Sequence, residues 1–60
     1  MSDVISLEEM ISCADREIRM REKTYPRFVE QHKLTQMIAD MEIARMKSIK
    51  RLLVELRVAA

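Results

Sequence analysis

The stretch His32-Lys33-Leu34-Thr35 decides the fold, because it lies between two long segments of helix-forming composition. Thr35 is a residue type that caps helix N-termini, so a second helix is predicted to begin after it. Because the stretch contains no glycine or proline that would force a turn, the alternative to a hairpin is a single continuous helix. Charge favours the hairpin. Residues 1–15 hold four acidic and no basic residues, residues 45–60 hold five basic residues and one acidic residue, and antiparallel packing brings these ends together.

The first helix is predicted to span about residues 7–31. Ser6 and Glu9 form a capping box at its start, in which each side chain satisfies a free backbone amide. Pro26 removes one backbone donor and disfavours helix at the preceding residue, so it predicts either a kink or a break with a restarted turn. The residues predicted to face the second helix recur at heptad spacing in two rows. The first row is Val4, Ile11, Ile18 and Tyr25, and the second, which Arg21 interrupts, is Leu7, Ala14 and Phe28.

The second helix is predicted to span about residues 36–57, after a turn at 32–35, in one hairpin domain of residues 1–60. Its main apolar stripe has spacings of three and four and is assigned to the seam: Ala39, Ile43, Met46, Ile49, Leu53 and Leu56. Antiparallel packing then places Ile18 near Ile49, Ile11 near Leu56 and Phe28 near Ala39. The predicted fold class is therefore all-α, an antiparallel two-helix hairpin.

Length and composition restrict the classes of function. A chain of 60 residues buries a small core and usually needs a disulfide, a metal or association for stability. The single cysteine and single histidine give neither an internal disulfide nor a metal cage, and we predict no catalytic residue, no metal and no cofactor. No apolar run reaches the roughly 18 residues of a membrane span. Met1-Ser2-Asp3 lacks the basic start of a secretory signal, so we expect a cytoplasmic protein. Two helices offer little chance to build a pocket that excludes water, so we expect no enzymatic activity.

A second apolar strip on helix 2 predicts association, since two helices alone do not surround so wide a face. It consists of Met37, Ile38, Met41, Ala44 and Leu52. We predict a homodimer that forms a four-helix bundle through Met10, Cys13, Ile38, Met41 and Leu52. Two alternatives stay open: the strip only widens the hairpin core, and Cys13 is a small packing residue rather than a dimer contact or a redox-sensitive thiol.

Three central segments resemble small helical proteins encoded by temperate bacteriophages and prophages: Tyr25-Pro26-Arg27-Phe28-Val29, Lys33-Leu34-Thr35-Gln36, and residues 39–46. The resemblance covers about residues 16–50. That group has no settled activity, so the resemblance implies a setting rather than a mechanism. The setting is the cytoplasm of a bacterial host cell. There, a small accessory protein is expected to bind and modulate or inhibit a host regulatory or defence protein.

The residues predicted to contact such a partner cluster near the turn and have types that dominate interface energies: Tyr25, Arg27, Phe28, Lys33, Met37 and Met41. An alternative for the two aromatic residues is that they close the open end of the hairpin core. A second possible function, nucleic-acid binding or transcription modulation, would use the basic residues of both helices, although acidic residues are interspersed. A third is a purely structural oligomerisation module.

Overall fold

The computed structural model describes residues 4–59, which form two helices joined by a short turn. Helix α1 spans Leu7–Glu30 and helix α2 spans Gln36–Ala59, and these described residues contain no strand. An ion pair joins Glu8 near the start of α1 to Arg57 near the end of α2, so the helices are antiparallel. The predicted all-α hairpin is confirmed, and the single continuous helix is wrong. The N-terminal features predicted at Met1-Ser2-Asp3 lie outside the described residues.

Helix α1 begins where the capping chemistry predicts. The backbone of Ser6 is extended, with φ −73° and ψ 158°, and its hydroxyl accepts a hydrogen bond from the Glu9 amide at 3.1 Å. The Ser6 carbonyl accepts a second bond from the Met10 amide at 3.0 Å. Glu8 and Glu9 place negative charge beside the positive end of the helix dipole. The Ser6 N-cap is therefore confirmed.

Helix α1 passes through Pro26 without a break. The predicted alternative of a break with a restarted turn is wrong. Proline at this point removes the donor that would bind the Glu22 carbonyl, but it leaves the hydrogen bonds of the neighbouring turns in place. Tyr25 and Val29 are half-buried on either side of Pro26, and tertiary packing of this kind supplies most of the stability of a helix in a protein. The helix therefore continues.

A left-handed residue reverses the chain at the end of α1. His32 has φ 57°. Its amide donates to the Val29 carbonyl at 3.1 Å, and the Lys33 amide donates to the Phe28 carbonyl at 2.9 Å. These two bonds satisfy carbonyls at the helix end in the common left-handed C-cap motif. Glycine usually occupies the position of His32, because a Cβ atom disfavours positive φ.

Thr35 starts α2 in the way that its residue type predicts. Its hydroxyl accepts a hydrogen bond from the Ile38 amide at 3.2 Å, and its carbonyl accepts one from the Ala39 amide at 2.9 Å. The predicted N-cap is confirmed. The turn thus has a defined cap on each side, which is how a sequence without glycine closes the hairpin.

The seam between the helices contains a small core. Among residues 4–59, only Ala14, Ile18 and Ala39 are buried, and no large side chain in this range is completely enclosed. Two of these three residues are alanines, so little apolar area leaves water at the centre of the seam. The larger apolar side chains of the seam, such as Ile11, Ile43 and Leu53, are only half-buried.

Four residues predicted for the seam lie at its edge or outside it, and one of them, Phe28, is 37% exposed. Val4 precedes α1 and is 84% exposed, while Ile49 and Leu56 are each 49% exposed. Helix α2 is rotated so that Lys50 rather than Ile49 faces α1, and its ammonium lies 2.7 Å from the Asp15 carboxylate. Ile49 and Leu56 therefore lie at the edge of the seam rather than at its centre, and their pairings with Ile18 and Ile11 stay predictions.

Candidate interaction surfaces

Cross-helix ion pairs define one side of the hairpin, called the ionic flank below. Three acidic residues of α1, spaced seven apart and therefore in one helix row, bind basic residues of α2: Glu8 binds Arg57 at 3.1 Å, Asp15 binds Lys50 at 2.7 Å, and Glu22 binds Lys47 at 3.3 Å. These pairs are partly or largely exposed, so each adds little stability but favours one orientation of the helices.

Asp15 is held from two sides on the ionic flank. Lys50 donates to its Oδ1 at 2.7 Å, and Arg19 lies 2.9 Å from its Oδ2. The hydrogen bond from Lys50 lowers the pKa of Asp15 below its usual range, and partial desolvation acts in the opposite direction. The positive charges of Arg19 and Lys50 lower the pKa further. The charged form of Asp15 is therefore favoured in the folded hairpin, where it contacts both its own helix and α2.

A second charged cluster lies on the opposite side of the seam, since Glu17 follows Asp15 by two residues, or about 200° around the helix. Arg21 Nε binds Glu17 at 3.0 Å, and Arg21 Nη1 donates to the Glu42 carbonyl at 3.0 Å. Arg21 Nη1 also lies 3.5 Å from the Glu42 carboxylate, which binds Arg45 as well. Two positive and two negative groups thus neutralise one another.

This neutral cluster shows which apolar residues share its side. Met10 lies seven residues before Glu17, and Ile49 lies seven residues after Glu42, so each shares a helix row with a member of the cluster. Because Arg21 binds both Glu17 and Glu42, the two rows run side by side. These rows and the residues within one turn of them form the apolar flank: Met10, Cys13 and Met20 of α1, and Ile38, Met41, Ile49, Leu52 and Leu56 of α2.

The apolar flank is open to solvent. Its side chains range from Met10, 39% exposed, to Leu52, 56% exposed, and Cys13 is also exposed. A shallow groove along α2 follows the flank and is lined by Met41, Ala44, Arg45, Ser48 and Ile49. An apolar face of this length on so small a hairpin is typical of an interaction surface.

All five residues predicted for self-association lie on the apolar flank: Met10, Cys13, Ile38, Met41 and Leu52. Sequence reasoning missed Ile49 and Leu56, because their spacing also fits the main stripe. The signal that would have found them is the matched spacing of Lys50 with Arg57 and of Glu8 with Asp15. Each pair is seven residues apart, and antiparallel pairing between them turns Ile49 and Leu56 away from the seam centre.

The turn end of the hairpin carries an aromatic pair. The ring centroids of Tyr25 and Phe28 are 6.2 Å apart, and the Arg21 guanidinium carbon lies 5.9 Å from the centroid of the Tyr25 ring. Tyr25 is half-buried, whereas Phe28 is 37% exposed. Tyr25 is thus held between a cation and a second ring, and Phe28 presents part of its ring to solvent.

The six residues predicted to bind a partner protein are divided among three places. Tyr25, Arg27 and Phe28 lie on the last turns of α1. Lys33 lines a hollow beside the turn, together with Val29, His32, Leu34, Thr35 and Ile38. Met37 and Met41 lie on α2, where Met37 is 70% exposed and Met41 belongs to the apolar flank. The aromatic pair and the hollow are therefore neighbouring features of one end of the molecule.

The basic residues form little free positive surface. All eleven lysine and arginine residues lie within residues 4–59, and six of them are in ion pairs. Arg16 is also engaged, through a hydrogen bond from its Nη2 to the Cys13 sulfur at 3.8 Å. Phosphate binding needs basic groups that are free to replace counterions, and here most of the cations already face carboxylates.

Residues 4–59 contain no group of three or more His, Cys, Asp and Glu side chains that could hold a metal ion. Neither helix in this range combines the length and the apolar character needed to cross a membrane.

Comparison of the chain with models of protein families, with curated proteins and with solved structures finds no match. The surfaces of the hairpin are therefore the basis on which its function is inferred.

Proposed function

We propose that this chain is a small accessory protein of the phage-encoded kind that its central segments resemble, and that it acts by binding another protein. Its target is a regulatory or defence protein of a bacterial host cell, which the chain modulates or inhibits in the cytoplasm. The observation that supports this proposal best is the imbalance between buried and exposed apolar side chains.

That imbalance is large for a chain of this size. Three residues among the described ones are buried, and two of them are alanines, whereas twelve large hydrophobic side chains are between 37% and 84% exposed. Burial of apolar area is the main favourable contribution to both folding and association. A hairpin that leaves so much of it in water is suited to gaining stability by contact with another chain.

The turn end is the surface that we assign to the target. Phe28 is partly exposed beside Tyr25, and Arg27 and Lys33 place positive charge around it. Aromatic residues and arginine are the types that most often dominate binding energy at protein interfaces. A short helical hairpin can insert such an end into a groove or cover a surface that the target uses for its own assembly.

Catalysis is not part of this proposal. Chemistry requires converging polar groups in a pocket that excludes water. The hollows described above are open to solvent, and the acidic residues of the ionic flank are paired with basic ones. We expect purified protein to show no enzymatic turnover.

A capture experiment tests the proposed function. The tagged chain is incubated with bacterial lysate, with and without nuclease and at low and high salt. A double variant, Arg27→Glu with Phe28→Ala, and a control, Lys23→Glu, are treated in the same way. Lys23 is exposed on α1 about one turn before this end, so the control makes a similar charge change away from the aromatic pair. We expect one stoichiometric protein partner that the original chain and the control retain and the double variant loses.

Two results would overturn the proposal. Capture that disappears with nuclease, or that falls with salt at the steep slope of phosphate contacts, would indicate nucleic-acid binding instead. Recovery of the chain alone from lysates of all plausible hosts would indicate a purely structural oligomerisation module.

A further inference from the structure

We infer that the apolar flank is the contact surface for a second copy of this chain, and that two hairpins pack through it into a four-helix bundle. This inference concerns the purified chain alone and does not depend on the proposed target. It assigns the two surfaces different tasks, although both include Ile38: the apolar flank builds the dimer, and the aromatic pair with Lys33 stays available at the turn end.

The surface area of the hairpin is the first argument. The accessible surface is 4979 Å², whereas a compact monomer of 7.1 kDa exposes about 4,100 Å², so the excess is about 900 Å². A standard specific interface buries about 800 Å² on each partner. One interface with a second copy would therefore bury about as much surface as the hairpin exposes beyond a compact monomer of its mass.

The charge on the flank is the second argument. The cluster of Glu17, Arg21, Glu42 and Arg45 crosses the apolar flank and is neutral, with each member already bound within the chain. A second copy that approaches there meets apolar side chains and a neutral cluster rather than an unpaired charge. The remaining strong charges of the cross-helix pairs lie on the ionic flank, which such a dimer leaves in water.

Symmetry is the third argument. When two copies meet through the same face, each contact is repeated by a two-fold axis, and the assembly closes at two copies. Two hairpins placed face to face give four helices around one apolar core, an arrangement in which exposed positions such as Ile49 and Leu52 become core positions. The flank includes Met41, so the contacts left for a target are Tyr25, Arg27, Phe28, Lys33 and Met37.

The first test measures molar mass by light scattering and by sedimentation over a range of micromolar concentrations. We expect a dimer for the unmodified chain. Leu52→Glu should weaken dimerisation by about a hundredfold or more, because it buries an unpaired carboxylate. Val58→Glu is the matched control: Val58 is also on α2 and is 80% exposed, but it lies off the apolar flank, so this variant should remain dimeric.

The second test uses the unmodified chain and does not depend on the folding of a variant. Cys13 is exposed on the flank of a single hairpin and should become covered in the dimer, so its reaction with a maleimide should slow as protein concentration rises. A cysteine placed outside the flank, in the variant Arg51→Cys with Cys13→Ser, should react at one rate throughout. A folded monomer at all concentrations, a dimer that Leu52→Glu and Val58→Glu affect equally, or unchanged Cys13 reactivity in a dimer would overturn the inference.

Discussion

Lys50 Nζ lies 2.7 Å from Asp15 Oδ1, and this contact joins the second half of α2 to the first half of α1. The two side chains are 37% and 29% exposed, so the pair sits at the edge of the seam rather than on the open surface. Turning Lys50 towards α1 turns its neighbour Ile49 away, which adds Ile49 to the apolar flank. One ion pair thus connects the internal packing of the hairpin with the surface available to other chains.

The first prediction concerns pH. Hydrogen bonding from Lys50 lowers the pKa of Asp15 in the folded state, with Arg19 acting in the same direction. A carboxyl whose pKa is lower in the folded state stabilises the fold above its unfolded pKa and loses that effect as the pH falls through its folded pKa. Asp15→Asn should therefore destabilise the hairpin at neutral pH, and its difference from the original chain should disappear well below about pH 4.

Urea unfolding at fixed protein concentration across this pH range measures the effect of Asp15→Asn. Lys50→Gln removes the partner and should abolish much of the same pH-dependent stability. The double variant should be little worse than either single one, since both remove one interaction. Strictly additive effects at neutral pH would show that the two side chains do not act as a pair.

The second prediction concerns the most buried position of the seam. Ala39 is 2% exposed, so a larger side chain there has no free space. Ala39→Leu should lower the free energy of unfolding by about 1 to 3 kcal/mol through overpacking. Ala59→Leu makes the same change at an exposed position at the end of α2 and should alter it by less than about 0.5 kcal/mol. Equal effects of the two variants in thermal unfolding would contradict the seam described above.

Local chemistry made much of the fold predictable from sequence. Ser6 and Thr35 are capping residues whose hydrogen bonds involve amides only three positions away, and both helix starts appear at the expected positions. The hairpin itself followed from the opposite charges of the two chain ends. Such signals work because the interacting groups are close in sequence or act as whole blocks of charge.

Contacts between the two helices are harder to predict from the sequence. The main stripe of α2 fits Ile49 as well as Lys50 at the seam, and only the distance to Asp15 on the other helix decides between them. The same limit applies to Pro26, whose local preference predicted a kink or a break, while the packing of adjacent turns keeps α1 continuous. The apolar flank is therefore predicted in part: the sequence points to Met10 and Met41, but not to Ile49 and Leu56.

The third prediction concerns the turn. His32 has φ 57°, a conformation that costs a residue with a Cβ atom about 1 kcal/mol or more and costs glycine almost nothing. His32→Gly should therefore raise the free energy of unfolding by about 0.5 to 1 kcal/mol, after allowance for the greater freedom of glycine in the unfolded chain. His32→Ala keeps the Cβ atom and should give no such gain. A loss of stability in the glycine variant would show that the His32 side chain makes a contribution beyond its backbone role.

The last prediction concerns Pro26, which interrupts the hydrogen bonds of α1 although the helix continues through it. Proline inside a helix costs about 3 kcal/mol relative to alanine, but it also restricts the unfolded chain, which returns part of that cost. Pro26→Ala restores an amide that can bind the Glu22 carbonyl, and we expect a net stabilisation of about 1 to 2 kcal/mol. The measurement is urea unfolding at fixed concentration, with Lys23→Ala as an exposed control that should change stability by less than about 0.5 kcal/mol.

Because Tyr25 lies directly before Pro26 and is already half-buried, the alanine variant should keep the aromatic pair in place. A variant that is less stable than the original chain would mean that the proline ring itself contributes packing that the backbone hydrogen bond does not replace.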